Sequence, residues 1–291
     1  MQSRNPVFAR AAGFNGRNAN GNPTYAGNGQ TYAGYGDPST WSVGGGAPTG
    51  AGHAAPPTHA PASTGPMTID SVVQKTGLTM LVVVLAAAAT WLLTGNVATD
   101  AHAQQTVNML AMGGAIVGFG LAMANSFKRL VSPALVLAYA VCEGVFIGAM
   151  SKVFEAMWPG VVVGAVLGTV AAVGGTLAAY KFFNIRVSDK FRKWVTAAMF
   201  GFVAVVVLDF VLGFFHASFG FNGLHGLGFV ASIIGLGLGV LMLILDFDYV
   251  EKGIAAGLPE RESWRAAFGL TVTIVWIYIE MLRILAALRG N

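Results

Sequence analysis

Charged residues are scarce in this chain, and their scarcity excludes a soluble globular protein. Asp, Glu, Lys and Arg make up only 10% of the 291 residues, whereas hydrophobic residues make up 55%. Because so few charges cannot coat a globule of this size, the composition predicts an integral membrane protein whose main partner is the lipid bilayer. The net charge of +4 comes from basic residues in short joints between apolar segments. We therefore expect no nucleic-acid partner.

Cysteine is almost absent, since Cys142 is the single one in the sequence. A lone thiol excludes an intrachain disulfide and the metal sites that are built from several thiolates. The sequence also lacks a Gly-rich phosphate loop, an EF-hand calcium loop and a nucleophile elbow. We therefore expect neither an enzymatic activity nor a bound cofactor.

Leucine and isoleucine are missing from residues 1–66, where Gly, Asn, Ala, Thr and Pro dominate. Such a segment cannot bury enough apolar surface to offset the entropy lost on ordering. We predict a disordered cytoplasmic tail over residues 1–70 and a transmembrane domain over residues 71–291. No apolar run occurs before Leu78, so a signal peptide is not predicted.

Seven long apolar segments follow the tail, and each is long enough to cross the hydrocarbon core as a helix. The predicted spans are residues 78–94, 106–126, 131–153, 158–183, 194–215, 226–247 and 266–288. The sequence therefore predicts an all-α membrane protein, a bundle of seven transmembrane helices. Six spans with a re-entrant last segment are the alternative.

Lysine and arginine alternate between the joints that connect these spans. They occur in the second, fourth and sixth joints, whereas the first and fifth joints have none. The positive-inside rule then places the N-terminal tail and the even joints in the cytoplasm and the C-terminus outside.

Small residues recur every four positions in three of the spans. They are Gly160, Gly164, Gly168, Ala172 and Thr176 in the fourth span, Gly114 and Gly118 in the second, and Gly235 and Gly239 in the sixth. Such rows allow the close backbone approach on which helix association in lipid depends. They predict tight seams inside the bundle, with a dimer interface as the alternative.

Acidic residues in or beside the apolar spans are the main functional candidates, because a charge at the centre of a bilayer costs about 3 kcal/mol. They are Glu143, Asp209, Asp246, Asp248 and Glu280. Two residues on a helix are separated by about 200° of rotation, so only one of Asp246 and Asp248 can face the bundle interior. We expect Asp246 to face inward and Asp248 to lie at the cytoplasmic mouth. A structural ion pair or hydrogen bond is the alternative role for each acid.

Arg283 is a possible ion-pair partner for one of these acids. It follows Glu280 by three residues, a spacing that places both side chains on the same helix face.

The last two spans carry motifs of a known family. They are Leu-Asp-Phe-Asp-Tyr-Val-Glu-Lys over residues 245–252, Trp-Arg-Ala-Ala-Phe-Gly over 264–269 and Ile-Glu-Met-Leu-Arg-Ile-Leu over 279–285. With Tyr139 and Glu143 of the third span, these motifs resemble the bacterial branch of the Bax inhibitor-1 family over about residues 70–290. The resemblance implies a bundle in which the other helices surround the last one. It also implies a bacterial cytoplasmic membrane protein.

The resemblance further implies a pH-sensitive calcium leak. In the bacterial relatives, two aspartates on the sixth and seventh helices share a proton near the cytoplasmic mouth. The first aspartate matches Asp246, but the second falls on Thr273, so one carboxylate of the pair is missing here. Asp248 and Glu280 are the candidate replacements.

Two functions follow from the sequence. The first is a calcium channel or exchanger gated by protonation of carboxylates inside the membrane. Burial favours the neutral form of a carboxyl group, and a second carboxylate nearby favours it further, so its charge can respond to pH. Ionised Asp246 and Asp248, with the hydroxyl of Thr273, would offer calcium a weak and transient oxygen site.

The second function is that of a non-transporting regulator that binds a membrane protease or other membrane proteins. It would make no use of the acidic residues as an ion pathway. The sequence does not predict the oligomeric state.

Overall fold

The computed structural model describes residues 65–128, 130–183 and 185–290, so the predicted disordered tail lies outside the described residues up to position 64. The described part folds as seven helices without a β-strand. They are α1 (Ile69–Leu93), α2 (Ala101–Phe127), α3 (Pro133–Met157), α4 (Val161–Phe182), α5 (Asp189–Gly213), α6 (Leu227–Ala255) and α7 (Glu262–Arg289). All seven are long and apolar enough to cross a membrane. The prediction of seven spans is confirmed, and α7 is one continuous helix rather than a re-entrant segment.

Polar residues at the helix starts explain where several helices begin. The Thr68 hydroxyl accepts a hydrogen bond from the Ser71 backbone N–H, and the Ser71 hydroxyl accepts one from the Thr68 N–H. This reciprocal cap starts α1 at Ile69, well before the apolar run at Leu78. Ser188 caps α5 in the same manner by accepting from the Phe191 N–H.

Helix α7 is the central helix of the bundle. In its most apolar 18-residue stretch 61% of the residues are buried, against 17–39% in the other six helices. It packs against α1, α3, α4 and α6, whereas α2 packs mainly on α3 and α5 mainly on α6. The Phe202 ring of α5 also packs against Trp276 of α7, with the centroids 5.8 Å apart. Ile277, Leu282 and Ala286 are fully buried along its length. The central last helix implied by the family resemblance is therefore present.

Glycine rows form seams between helices of this one chain. A Cβ atom at Gly168 of α4 would lie 2.9 Å from the Met281 side chain of α7, and one at Gly239 of α6 would lie 2.9 Å from Ile277. Gly114 of α2 would come within 3.0 Å of the Cys142 carbonyl oxygen of α3. These rows therefore serve packing inside the bundle.

Residues 65–70, which composition assigned to the disordered tail, are part of the bundle. The Met67 N–H donates to the Leu258 carbonyl oxygen at 2.7 Å, and the Met67 side chain is only 1% exposed. Lys75 forms an ion pair with Glu260 at 2.9 Å. These contacts attach the start of α1 to the α6–α7 joint, so the tail boundary predicted at residue 70 is a few residues too late.

Candidate functional site

The basic face of the bundle is the end formed by the joints 128–132, 183–188 and 256–261. Helices α2, α4 and α6 end at this face, and α3, α5 and α7 begin there. The candidate site lies between α6 and α7 near this end. The Thr273 hydroxyl of α7 donates a hydrogen bond to Asp246 Oδ2 of α6 at 2.6 Å. Thr273 is buried, whereas Asp246 is half-buried.

Asp246 lines a cavity of about 330 Å³ on the inner side of the basic face. The lining residues are Asn125 and Ser126 of α2, Asp246 and Tyr249 of α6, and Arg265, Ala266, Phe268 and Gly269 of α7. A Cβ atom at Gly269 would lie 3.4 Å from Asp246 Oδ1, so the glycine keeps the space beside the carboxylate open. The cavity is large enough for several water molecules or a partly hydrated cation.

Asp248 faces a different neighbour from Asp246. Its carboxylate accepts from Arg192 Nη2 of α5 at 2.5 Å and lies 2.9 Å from Lys252 Nζ. We expected Asp248 at the cytoplasmic mouth. Helix α6 continues past it to Ala255, and the residue is only 4% exposed. Since two cations neutralise it, Asp248 joins α6 to α5 and does not line the Asp246 cavity.

Glu143 lies beside the wall of the cavity. It is half-buried on α3, and a Cβ atom at Gly118 of α2 would lie 3.3 Å from its Oε2. Its hydrogen-bonding neighbour is Tyr139, one helical turn earlier. The Tyr139 ring packs edge-on against Phe268, which lines the cavity, with the centroids 5.1 Å apart. Glu143 therefore connects to the site through two aromatic rings.

Glu280 and Arg283 form a buried ion pair on the other half of α7. Arg283 Nη1 lies 3.1 Å from Glu280 Oε2, and Arg283 Nη2 donates to the carbonyl oxygens of Phe221 and Gly223 at 3.2 Å each. Glu280 follows Thr273 by seven residues, about 10 Å along the helix. A Cβ atom at Gly235 of α6 would lie 2.9 Å from Glu280 Oε1, so Glu280 packs against α6 away from Asp246, and its partner Arg283 contacts the α5–α6 joint.

Asp209 also belongs to the α5–α6 joint. Its carboxylate accepts hydrogen bonds from the backbone N–H groups of Phe219 and Asn222, each at 2.8 Å. The residue is only 2% exposed. Because backbone donors hold the carboxylate, Asp209 orders the joint at the end of the bundle opposite the Asp246 cavity.

Comparison with known proteins identifies the family. A family model described as Bax inhibitor 1 like matches residues 5–290. The chain belongs to this family. An uncharacterized protein of Chlamydia muridarum (strain MoPn / Nigg) is 25% identical to it over 181 residues, which cover 60% of this chain and 74% of the relative. The family match also takes in most of the N-terminal tail, beyond the residues 70–290 that carried the resemblance.

In this Bax inhibitor 1 like chain, two pairs of the residues singled out from the sequence are in contact, Asp246 with Thr273 and Glu280 with Arg283. Of these four residues, Asp246 alone lines the cavity. Asn125, Ser126, Tyr249 and Arg265 also line the cavity. Tyr249 and Arg265 belong to the family motifs, but none of the four was predicted as a site residue. One sign was available for Asn125, which is a polar residue near the end of an otherwise apolar span.

The oxygen atoms of the cavity decide which ions suit it. Among the described residues no group of three or more His, Cys, Asp and Glu side chains is placed to hold a metal ion. The cavity offers one carboxylate with amide and hydroxyl oxygens, a set suited to a hard cation that binds weakly.

Proposed function

We propose that this Bax inhibitor 1 like protein passes a cation, calcium in the first instance, and that the protonation state of Asp246 controls the flux. The observation that carries the proposal is a half-buried carboxylate that lines a cavity beside the central helix α7. Carboxylates within transmembrane segments mark ion and proton pathways far more often than carboxylates elsewhere. In this proposal the basic face is the cytoplasmic face of a bacterial cytoplasmic membrane.

Proton and cation compete for the Asp246 carboxylate in this mechanism. The ionised carboxylate attracts the cation, and the Thr273 hydroxyl supports the ionised form by donating a hydrogen bond. Protonation removes the negative charge, so flux falls as the pH is lowered. The other titratable groups that line the cavity are Tyr249 and Arg265, and the residues contributed by α2 are neutral. Arg265 Nε is held 2.9 Å from Glu262.

Asp246→Asn tests the proposal most directly. We expect calcium flux into proteoliposomes to fall roughly tenfold or more, because the variant removes an attraction worth about 4 kcal/mol between charges 4 Å apart. The remaining flux should no longer depend on pH. A calcium-sensitive dye trapped inside the vesicles measures both quantities.

Asp70→Asn is the matched control, since Asp70 is an exposed aspartate in the first turn of α1. It should leave the flux unchanged. An unaltered pH profile in Asp246→Asn would remove Asp246 from the mechanism. Wild-type flux equal to that of empty vesicles at every pH would overturn transport itself and favour the regulator alternative.

Thr273→Asp introduces the second carboxylate that the family pattern places on α7. The new group would lie within hydrogen-bonding distance of Asp246, where two carboxylates cannot both be ionised and must share a proton. We expect the midpoint of the pH dependence of flux to move up by roughly 2 pH units. The measurement is the same vesicle assay across a pH series.

Thr273→Asn separates charge from size in this experiment, because asparagine has the shape of aspartate without its ionisable group. It should leave the midpoint well below that of Thr273→Asp. Equal shifts in both variants would contradict proton sharing with Asp246 and indicate a packing effect.

A further inference from the structure

We propose that the side-chain oxygen of Asn125 is a second ligand for the cation held at Asp246. This inference rests on the proposed cation pathway and adds a specificity-determining residue on α2. It concerns the part of the cavity lining that α2 contributes.

The orientation of the Asn125 amide is fixed by one hydrogen bond. Its Nδ2 donates to the Leu135 carbonyl oxygen of α3 at 3.2 Å. Because a carbonyl oxygen accepts and cannot donate, the NH₂ group must face Leu135, and Oδ1 must face elsewhere.

The Asn125 Oδ1 atom is buried and has no hydrogen-bond partner among the described residues. The residue as a whole is 6% exposed. Buried polar atoms in folded proteins nearly always have a partner, so an oxygen in this position calls for one that the described residues do not provide. A bound cation or a water molecule would satisfy it.

The chemistry of the cavity favours a hard cation as that partner. Asn125 lines the same cavity as Asp246, Tyr249 and Ser126. Ser126 donates its own hydrogen to the Ala122 carbonyl oxygen at 2.8 Å, which leaves its lone pairs available. Amide, hydroxyl and carboxylate oxygens are the ligands that calcium prefers, and the lining residues include neither histidine nor cysteine.

The charge balance of the cavity fits a transit site. One carboxylate and neutral oxygens hold a divalent cation more weakly than several carboxylates do. Arg265 adds positive potential at the same lining. Weak binding of this kind lets an ion leave as readily as it enters.

A luminescence titration tests the assignment directly. Full-length protein in lipid nanodiscs is titrated with Tb³⁺, a calcium substitute whose emission is sensitised by nearby aromatic rings, and calcium is then added as competitor. Asn125→Leu keeps the approximate size of the side chain but removes its oxygen. We expect Tb³⁺ and calcium to bind roughly tenfold more weakly to this variant.

Asn125→Asp serves as the second variant, because it keeps the oxygen and adds a charge. We expect it to bind Tb³⁺ more tightly than wild type above neutral pH, and the gain should vanish as the pH is lowered. Asn108→Leu is the control, since Asn108 is exposed near the other end of α2. It should match wild type.

These experiments test the Asn125 assignment and the transport proposal separately. If Asn125→Leu and Asn125→Asp both match wild type while Asp246→Asn loses binding and flux, the Asn125 assignment is overturned and the proposed function stands. Such a result would indicate that a water molecule is the partner of the buried Asn125 oxygen. If wild type binds Tb³⁺ through Asn125 but passes no calcium, the ligand assignment holds and the transport proposal fails.

Discussion

Arg283→Leu is expected to lower the free energy of unfolding by about 3–5 kcal/mol, because it leaves a carboxylate buried without its counter-charge. Glu280 and Arg283 are only 3% and 8% exposed, and their charged atoms lie 3.1 Å apart. Arg283 also donates to two backbone oxygens of the α5–α6 joint. Its loss therefore removes both the charge balance of α7 and the attachment of that joint.

Equilibrium unfolding in detergent micelles or bicelles measures this effect. The double variant Glu280→Leu with Arg283→Leu should be more stable than Arg283→Leu alone, because no charge is then left unpaired. A single variant as stable as wild type would contradict a structural role for the pair.

Flux measurements on the same variants test whether Glu280 belongs to the ion pathway. Glu280 lies about 10 Å along α7 from Thr273 and packs beside Gly235 of α6. Folded Glu280 variants should therefore keep the pH dependence of flux while losing stability. A change in that dependence would return Glu280 to the pathway.

The number of helices could be predicted from the sequence because a bilayer imposes a minimum apolar length on every span. Helix ends could not be located in the same way. Helix α1 starts at Ile69 because Thr68 and Ser71 cap it, and α6 runs on to Ala255 although its last turns are polar. Hydropathy detects the apolar part of a helix and not the polar turns that extend beyond it.

Not every partner of the acidic residues could be predicted from the sequence, because some partners lie far away in the chain or in a joint. Asp248 is paired with Arg192, which lies 56 residues away. Asp209 accepts from a joint that follows its own helix. Two contacts could be predicted: the Glu280–Arg283 ion pair from its three-residue spacing, and the Asp246–Thr273 contact from the family pattern, which places two interacting residues at these positions.

Helices α1 and α3 approach each other closely at Gly148. A Cβ atom at Gly148 of α3 would lie 2.5 Å from the Ala87 carbonyl oxygen and 2.8 Å from its Cα atom. Both are backbone atoms of α1, so no side chain can move aside to make room. Lys152, one turn later on α3, donates to the Trp91 carbonyl oxygen at 2.6 Å and so ties the end of α1 to the same face.

Gly148→Ala is expected to destabilise the bundle by about 3 kcal/mol, because one added methyl group must push two packed helices apart. The measurement is the free energy of unfolding in bicelles. Gly174→Ala on α4 is the matched control, since a Cβ atom there would meet nothing within 4 Å. The control should be neutral or gain up to about 1 kcal/mol from the higher helix propensity of alanine. If both variants were equally stable, the close backbone contact between α1 and α3 at Gly148 would be contradicted.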